Sequence, residues 1–293
     1  MSLESGRAPE RPPAAAARDD RQYLRFSRLN RVLHVVMIVS FMSLALTGMT
    51  LKFSYTSWAS ILSRILGGFE TAGYIHRMAA VSMVAIFVLH INDLFRRRKK
   101  EFGTWKAMLT GPDTMLPTKK DLRDFAASMK WFVGKGPRPR YGRWTYWEKF
   151  DYFAVFWGIC VIGSTGMILW FPEFFTLLLP GWVINVATII HSDEALLAVG
   201  FIFTVHFFNT HLRPEKFPMD IVVFTGRMPV DEFREDKPAE YDILAASGKL
   251  EEHLVEPYPP IVIRSIRAFG WGALGLGFAI VVWIIYAMVF AYR

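Results

Sequence analysis

Residues 189–211 read IIHSDEALLAVGFIFTVHFFNTH. The stretch is apolar enough for hydrocarbon, yet it holds His191, His206 and His211, with Asp193 and Glu194 near its start. Ionisable side chains inside a bilayer are costly, and where they are kept they mark function. Four other blocks share this apolar character. The five lie at 32–51, 72–95, 152–171, 189–209 and 269–290, each close to the ~20 residues that a bilayer core demands at ~1.5 Å rise per residue. With 53% hydrophobic and 15% aromatic residues in 293, the chain reads as an all-α integral membrane protein. A four-helix bundle is expected over 21–212 and one extra transmembrane helix over 268–293.

The formal charge of +8 suggests nucleic acid until its distribution is considered. Seven Lys/Arg precede the first span, fifteen lie within 96–149 and eight within 213–267, which is 30 of 34. Segment 53–72 has only Arg64, and 172–190 has none. Alternating basic and non-basic loops follow the positive-inside rule. They are expected to put the N-terminus, the 96–149 loop and the 213–267 segment in the cytoplasm and the C-terminus outside, in a multi-pass protein. RRRKK at 96–100 is then a topology anchor, and no nucleic-acid partner is expected.

Residues 1–20 are polar and Pro/Ala-rich, as in a disordered cytoplasmic tail rather than a cleaved signal. Within the 96–149 loop, Leu122, Phe125, Met129 and Phe132 recur at helical spacing, which predicts a short interfacial helix. The Trp/Tyr cluster at 144–147 reads as an aromatic belt where the third span enters the membrane. Cys160 is the sole cysteine, so a disulfide framework, an iron–sulfur ligand set and a covalent c-type haem site are all excluded.

Six of the seven histidines lie within or at the ends of spans; only His253 is in a loop. On a helix, His76 and His90 differ by about −40° and about 21 Å, and His191 and His206 by about 60° and about 22 Å. Each pair shares a face at two membrane depths. His211 stands about 200° from His191 and is expected to face elsewhere. Spans two and four both run outside to inside, so His76 meets His191 at the outer level and His206 lies at the inner one. Bis-histidine haem ligation needs one imidazole from each side of a porphyrin, on facing helices. The outer pair is His76 with His191. For His206 the spacing leaves His90 and His34 both open as inner partner. A zinc site would instead gather its ligands at one depth.

RLNRVLHVVMIVSFMSLALTGM, with Arg31-x-x-His34 and then Thr47-Gly48, resembles the first helix of the b-type cytochrome subunits of formate dehydrogenases and nickel–iron hydrogenases. KFDYFAVFWGICVIGSTGMILWFP, with Thr165-Gly166, is similar to their third helix. His191, His206 and the following FTGRMPVDEF are similar to their fourth helix and its sequel. The resemblance spans about 21–235. It implies a protein of a bacterial inner membrane with two haems b, held by His34 with His206 and by His76 with His191, which favours His34 over His90. Three departures stand out. The His191–His206 spacing is one residue longer than the family's, so a displaced inner ring is expected. His90 and His211 are extra, which leaves a third haem open. The fifth span and 213–267 exceed the four-helix pattern. HSDEALLAVGFIFTVHFFNTHLRPEKFPMD also resembles cytochrome b modules associated with multihaem cytochromes c.

The expected function is electron transfer between quinone or quinol in the membrane and an outer-face partner, a multihaem cytochrome c or an iron–sulfur subunit. Trp144, Tyr146, Glu148 and Asp151 cluster at the inner start of span three. Trp144 and Glu148 are candidates for holding a quinone and exchanging its proton. Arg77, beside His76, is a candidate partner for a haem propionate. Asp193 and Glu194 suit interfacial solvation, docking or tuning of the outer haem. A proton-coupled transporter and a haem-free membrane anchor of a peripheral enzyme are the competing readings; both predict a colourless protein.

Overall fold

Ser27 marks where extended chain becomes membrane helix: its hydroxyl accepts the backbone N–H of Asn30, satisfying a donor that the first turn leaves open. The computed structural model describes residues 20–217 and 219–291; residues 1–19 of the expected tail lie outside the described residues. Strand β1 (Gln22–Leu24) precedes α1 (Arg28–Lys52). Helix α2 (Ser57–Ile65) leads into α3 (Phe69–Arg97), which a π-helical turn extends to Phe102. Helices α4 (Trp105–Thr110) and α5 (Lys119–Phe132) form the long loop. Next come α6 (Tyr146–Trp170), α7 (Pro172–Thr176) and α8 (Trp182–Phe201), the last continued by π-helical turns at Ile202–His206 and Phe208–Leu212. The remainder is α9 (Val222–Thr225), β2 (Arg227–Pro229), α10 (Val230–Asp236), α11 (Pro238–Ala246), β3 (Leu254–Val255) and α12 (Pro260–Tyr286), with a last π-helical turn at Ala287–Ala291.

Five helical runs are long and apolar enough to cross a membrane: Arg28–Lys52, Phe69–Phe102, Tyr146–Trp170, Trp182–Leu212 and Pro260–Ala291. This is the architecture of a multi-pass helical membrane protein. Its spans begin earlier than hydropathy suggests. The fourth starts at Trp182 rather than 189, so His191 lies well inside the helix instead of opening it. The third starts at Tyr146 because Thr145 and Glu148 form a reciprocal capping box. The fifth starts at Pro260, a residue suited to a first helical position.

Helices α1 and α3 form one antiparallel hairpin, α6 and α8 another. Helix α12 packs along α1 and α8, burying Ala45, Met49, Phe53, Val199, Phe203, Leu274 and Ile280 in one apolar cluster. Gly277 permits that approach, since a Cβ there would stand 2.7 Å from Phe207 and 2.8 Å from Phe203. Small residues let membrane helices approach closely. Helix α3 stays apolar and exposed at Met78, Val88, Leu89 and Phe95. The expected helix in the long loop is α5, and its Leu122, Phe125, Met129 and Phe132 are all exposed.

One end of the bundle carries a cap, which adds a small sheet to the helical architecture. Strand β1 is the middle strand of a small antiparallel sheet, order β2-β1-β3. Strands of two or three residues show no alternation in sequence, and these pair across more than 200 positions. Gly226 makes the junction: its φ is +72°, and a Cβ there would stand 2.6 Å from the Phe26 carbonyl oxygen. Its own carbonyl accepts the N–H groups of Arg25 and Phe26. Arg31 donates to the Thr225 carbonyl and the Tyr258 hydroxyl, 3.0 Å each, so two distant sequence motifs are joined here. Tyr23 stacks on Phe233 at 3.9 Å and donates to Glu240.

Lys216, only 6% exposed at its side chain, holds Asp236 at 2.5 Å, Asp220 at 3.4 Å, and Glu232. Burial by itself would lower its pKa, but the three carboxylates outweigh burial and raise it. Burial likewise favours a higher pKa for Asp236, yet the Lys216 ammonium keeps it below the usual carboxylate value. Asp236 therefore stabilises the cap above about pH 4, and that contribution is lost as pH falls through its depressed folded-state pKa. Lys216→Met leaves buried carboxylates without their cation and is expected to cost about 3–5 kcal/mol. Hydrogen exchange should rise across 227–246 while the membrane helices stay protected; unchanged exchange there would contradict this role.

Candidate functional site

The two hairpins do not close on each other. Between them runs a cavity of about 1680 Å³, lined by His34, His76, His90, His191, His206 and His211. Ligand pockets usually hold about 300–1,000 Å³, and this cavity is larger. Among the described residues no three His, Cys, Asp or Glu side chains converge as a metal cluster.

At the end opposite the cap, His76 of α3 faces His191 of α8, with ring centroids 6.2 Å apart and planes at 69°. Hydrogen bonding assigns their tautomers. The Thr47 hydroxyl donates to the Ser43 carbonyl at 2.6 Å, so its oxygen accepts Nδ1–H of His76 at 3.0 Å. On the other hairpin, the Ile162 carbonyl can only accept, and it takes Nδ1–H of His191 at 2.9 Å. Thr165 stands 3.3 Å from the same nitrogen. With Nδ1 occupied, each Nε2 is left as a lone-pair donor.

Glycines seat both rings. A Cβ on Gly48 would lie 3.3 Å from Cε1 of His76, and one on Gly166 would lie 3.0 Å from Cε1 of His191. The two Thr-Gly pairs therefore do the same job on α1 and α6: the hydroxyl meets the imidazole nitrogen, and the missing side chain makes room for the ring. Arg77 lies 5.9 Å over both Tyr74 and Trp170 and lines the cavity. Nearby, Lys52 binds Asp193 at 2.9 Å and Ser192 at 3.1 Å, and Glu194 accepts Nε1–H of Trp157 at 2.8 Å.

Towards the cap, Nδ1 of His206 is 2.9 Å from the Asp151 carboxylate, which again directs the free lone pair to Nε2. His34 lies within electrostatic reach of both His206 and His211. His90 does not join them: its Nε2 is 2.9 Å from the Tyr152 hydroxyl, and its ring packs edge-on against Phe156.

His211 does line the cavity, contrary to the expected 200° offset. That expectation assumed an uninterrupted α-helix. A π-helical turn bonds i to i+5 and takes up one extra residue. Two such turns precede or include His211, so its twenty-residue separation from His191 behaves like eighteen, about five full turns. The first π turn, ending at His206, likewise absorbs the additional residue that had suggested a displaced ring.

Glu148 and Trp144 also line the capped mouth of the cavity. Trp144 lies under the guanidinium of Arg25 at 5.3 Å and that of Arg143 at 5.5 Å. Glu148 binds Arg25 at 2.9 Å and Lys237 at 2.6 Å and caps α6 through Thr145. Burial brings the Lys237 ammonium down to about 8, against the pull of Glu148. Both Glu148 oxygens are thus engaged in joining the N-terminus, α6 and the cap. Glu148→Ala would strand two buried cations and is expected to lower stability by about 3–5 kcal/mol, read as earlier thermal unfolding in detergent. Unchanged unfolding would show that the clamp carries no weight.

In the sequence, Asp151 groups with the Trp144–Glu148 cluster and Thr47 and Thr165 stand as motif residues, but none of them, nor Lys52, has an assigned partner there. The acid and hydroxyl partners follow only once the helix pairs are known. No family model matches this chain, and no curated protein is similar to it.

Proposed function

We propose that the chain is a dihaem b-type cytochrome of the kind that the formate dehydrogenase and hydrogenase membrane subunits represent. The His76–His191 geometry carries this reading. A ligating imidazole nitrogen stands about 2 Å from a transition metal, and the ring centre about 1 Å further back. Two imidazoles on opposite sides of one iron therefore have centroids about 6 Å apart, against 6.2 Å here. Both Nε2 lone pairs are free, and the cavity continues beside them.

In this reading His76 and His191 hold the outer haem, and His34 and His206 the inner one. When bound, the haem irons supply one-electron redox chemistry. The chain's own part is to hold the Nδ1 atoms of His76, His191 and His206 in place, keep those rings in one orientation and exclude water. His206 is held by the Asp151 carboxylate, where the outer pair are held by a hydroxyl and a carbonyl. The distribution of loop charges supports a cytoplasmic cap and an outer position for the His76–His191 level, where a multihaem cytochrome c or iron–sulfur subunit would exchange electrons. A quinone would meet the inner level beside Trp144. Because Glu148 is ion-paired, its role there is to shape the mouth, and His90 with Tyr152 offers the more available proton-exchanging pair.

The test is a reduced-minus-oxidised spectrum of the purified full chain with haem quantified. Two b-type haems per chain are expected. His76→Leu and His191→Leu should remove one of them, and His34→Leu and His206→Leu the other; a colourless parent protein would overturn the proposal. Gly166→Ala should weaken outer-haem retention by about 10–100-fold, the usual range for disturbing a ligand's support. Full retention would show that the ring does not need that glycine.

A further inference from the structure

The capped mouth of the cavity is rich in cations that differ in how well they are satisfied. Lys216 and Lys237 are neutralised by carboxylates. The arginines are not saturated. Nη1 of Arg25, Nε of Arg138 and Nε of Arg213 are buried and have no hydrogen-bond partner among the described residues, and the same holds for Nδ1 of His211. All four residues line the cavity. Arg25 and Arg138 have carboxylate partners at their other nitrogens. For Arg213 the described residues provide none; its guanidinium lies 4.9 Å over the Trp147 ring, two positions beyond His211.

A buried donor left without an acceptor costs roughly 1–3 kcal/mol, and more when charged. The protein acceptor left open on the same wall is Oδ1 of Asp151, which can answer only part of this set. An acceptor that enters with a ligand would meet the rest of the set. A planar guanidinium fork matches the two oxygens of an oxyanion.

We propose that this mouth is an oxyanion subsite centred on Arg213, with Arg138 and Arg25 beside it. Its occupant is the carboxylate side arms of the porphyrin seated between His34 and His206. The assignment rests on the dihaem reading, and it makes Arg213 a positioning residue for the inner haem.

The test uses the full chain with Arg213→Gln and the charge-retaining Arg213→Lys. Haem per chain, the midpoint potential of each haem and bound phospholipid phosphorus are measured. Arg213→Gln is expected to keep both haems and to shift one midpoint negative, because losing a nearby cation favours the ferric state. The shifted haem should be the one lost in His206→Leu, and Arg213→Lys should restore most of the shift. A midpoint shift accompanied by lost phospholipid phosphorus would identify a lipid phosphate and overturn the propionate assignment. Unchanged midpoints and unchanged phosphorus would overturn the subsite itself. A parent protein without haem would instead remove the dihaem reading, and with it the propionate assignment.

Discussion

An imidazole placed in hydrocarbon needs a partner for each nitrogen, and this constraint organises the bundle. His76, His191 and His206 each have Nδ1 held from a neighbouring helix, by a Thr hydroxyl, a backbone carbonyl and a carboxylate respectively. Holding Nδ1 decides the tautomer, and the tautomer decides which atom faces the cavity. The same contacts cross between α1 and α3 and between α6 and α8, so they fix the register of both hairpins. The Thr-Gly pairs are the local expression of this rule, supplying an acceptor and removing the atom that would block the ring.

The π-helical turns serve the same geometry by another route. A regular helix from His191 would turn His206 and His211 progressively away from it. Each turn that bonds one residue further takes up one residue and restores the phase. Such turns weaken backbone packing locally, and here they are covered by α12, whose Gly277 admits Phe203 and Phe207. The fifth helix is thus more than an added anchor, because it supports the irregular part of the helix that carries the cap-side histidines.

The cap applies the opposite physics, with charge buried by pairing rather than avoided. Glu148 joins Arg25 to Lys237, and Lys216 gathers three acids. Pairs of this kind seldom add much net stability, but breaking one is expensive. Their effect is to specify a single arrangement of segments far apart in sequence, and that arrangement closes the cavity with guanidinium groups.

The five spans, their order, the α5 helix and the two-level spacing of the histidines were legible in the sequence, because helical periodicity and hydrocarbon length are local properties. So was the pairing of His76 with His191, since spans of known direction bring equal depths together. Helix starts were read late at Trp182 and Pro260, where aromatic and proline residues mask a helical turn from hydropathy. The place of His211 was misjudged because a π turn leaves no mark in residue type. Only the tertiary structure could show the Nδ1 partners, the separation of His90 from the cap-side histidines and the ion-paired state of Glu148. Those depend on which helices touch and on contacts across more than a hundred residues, and no periodicity within a single segment encodes them.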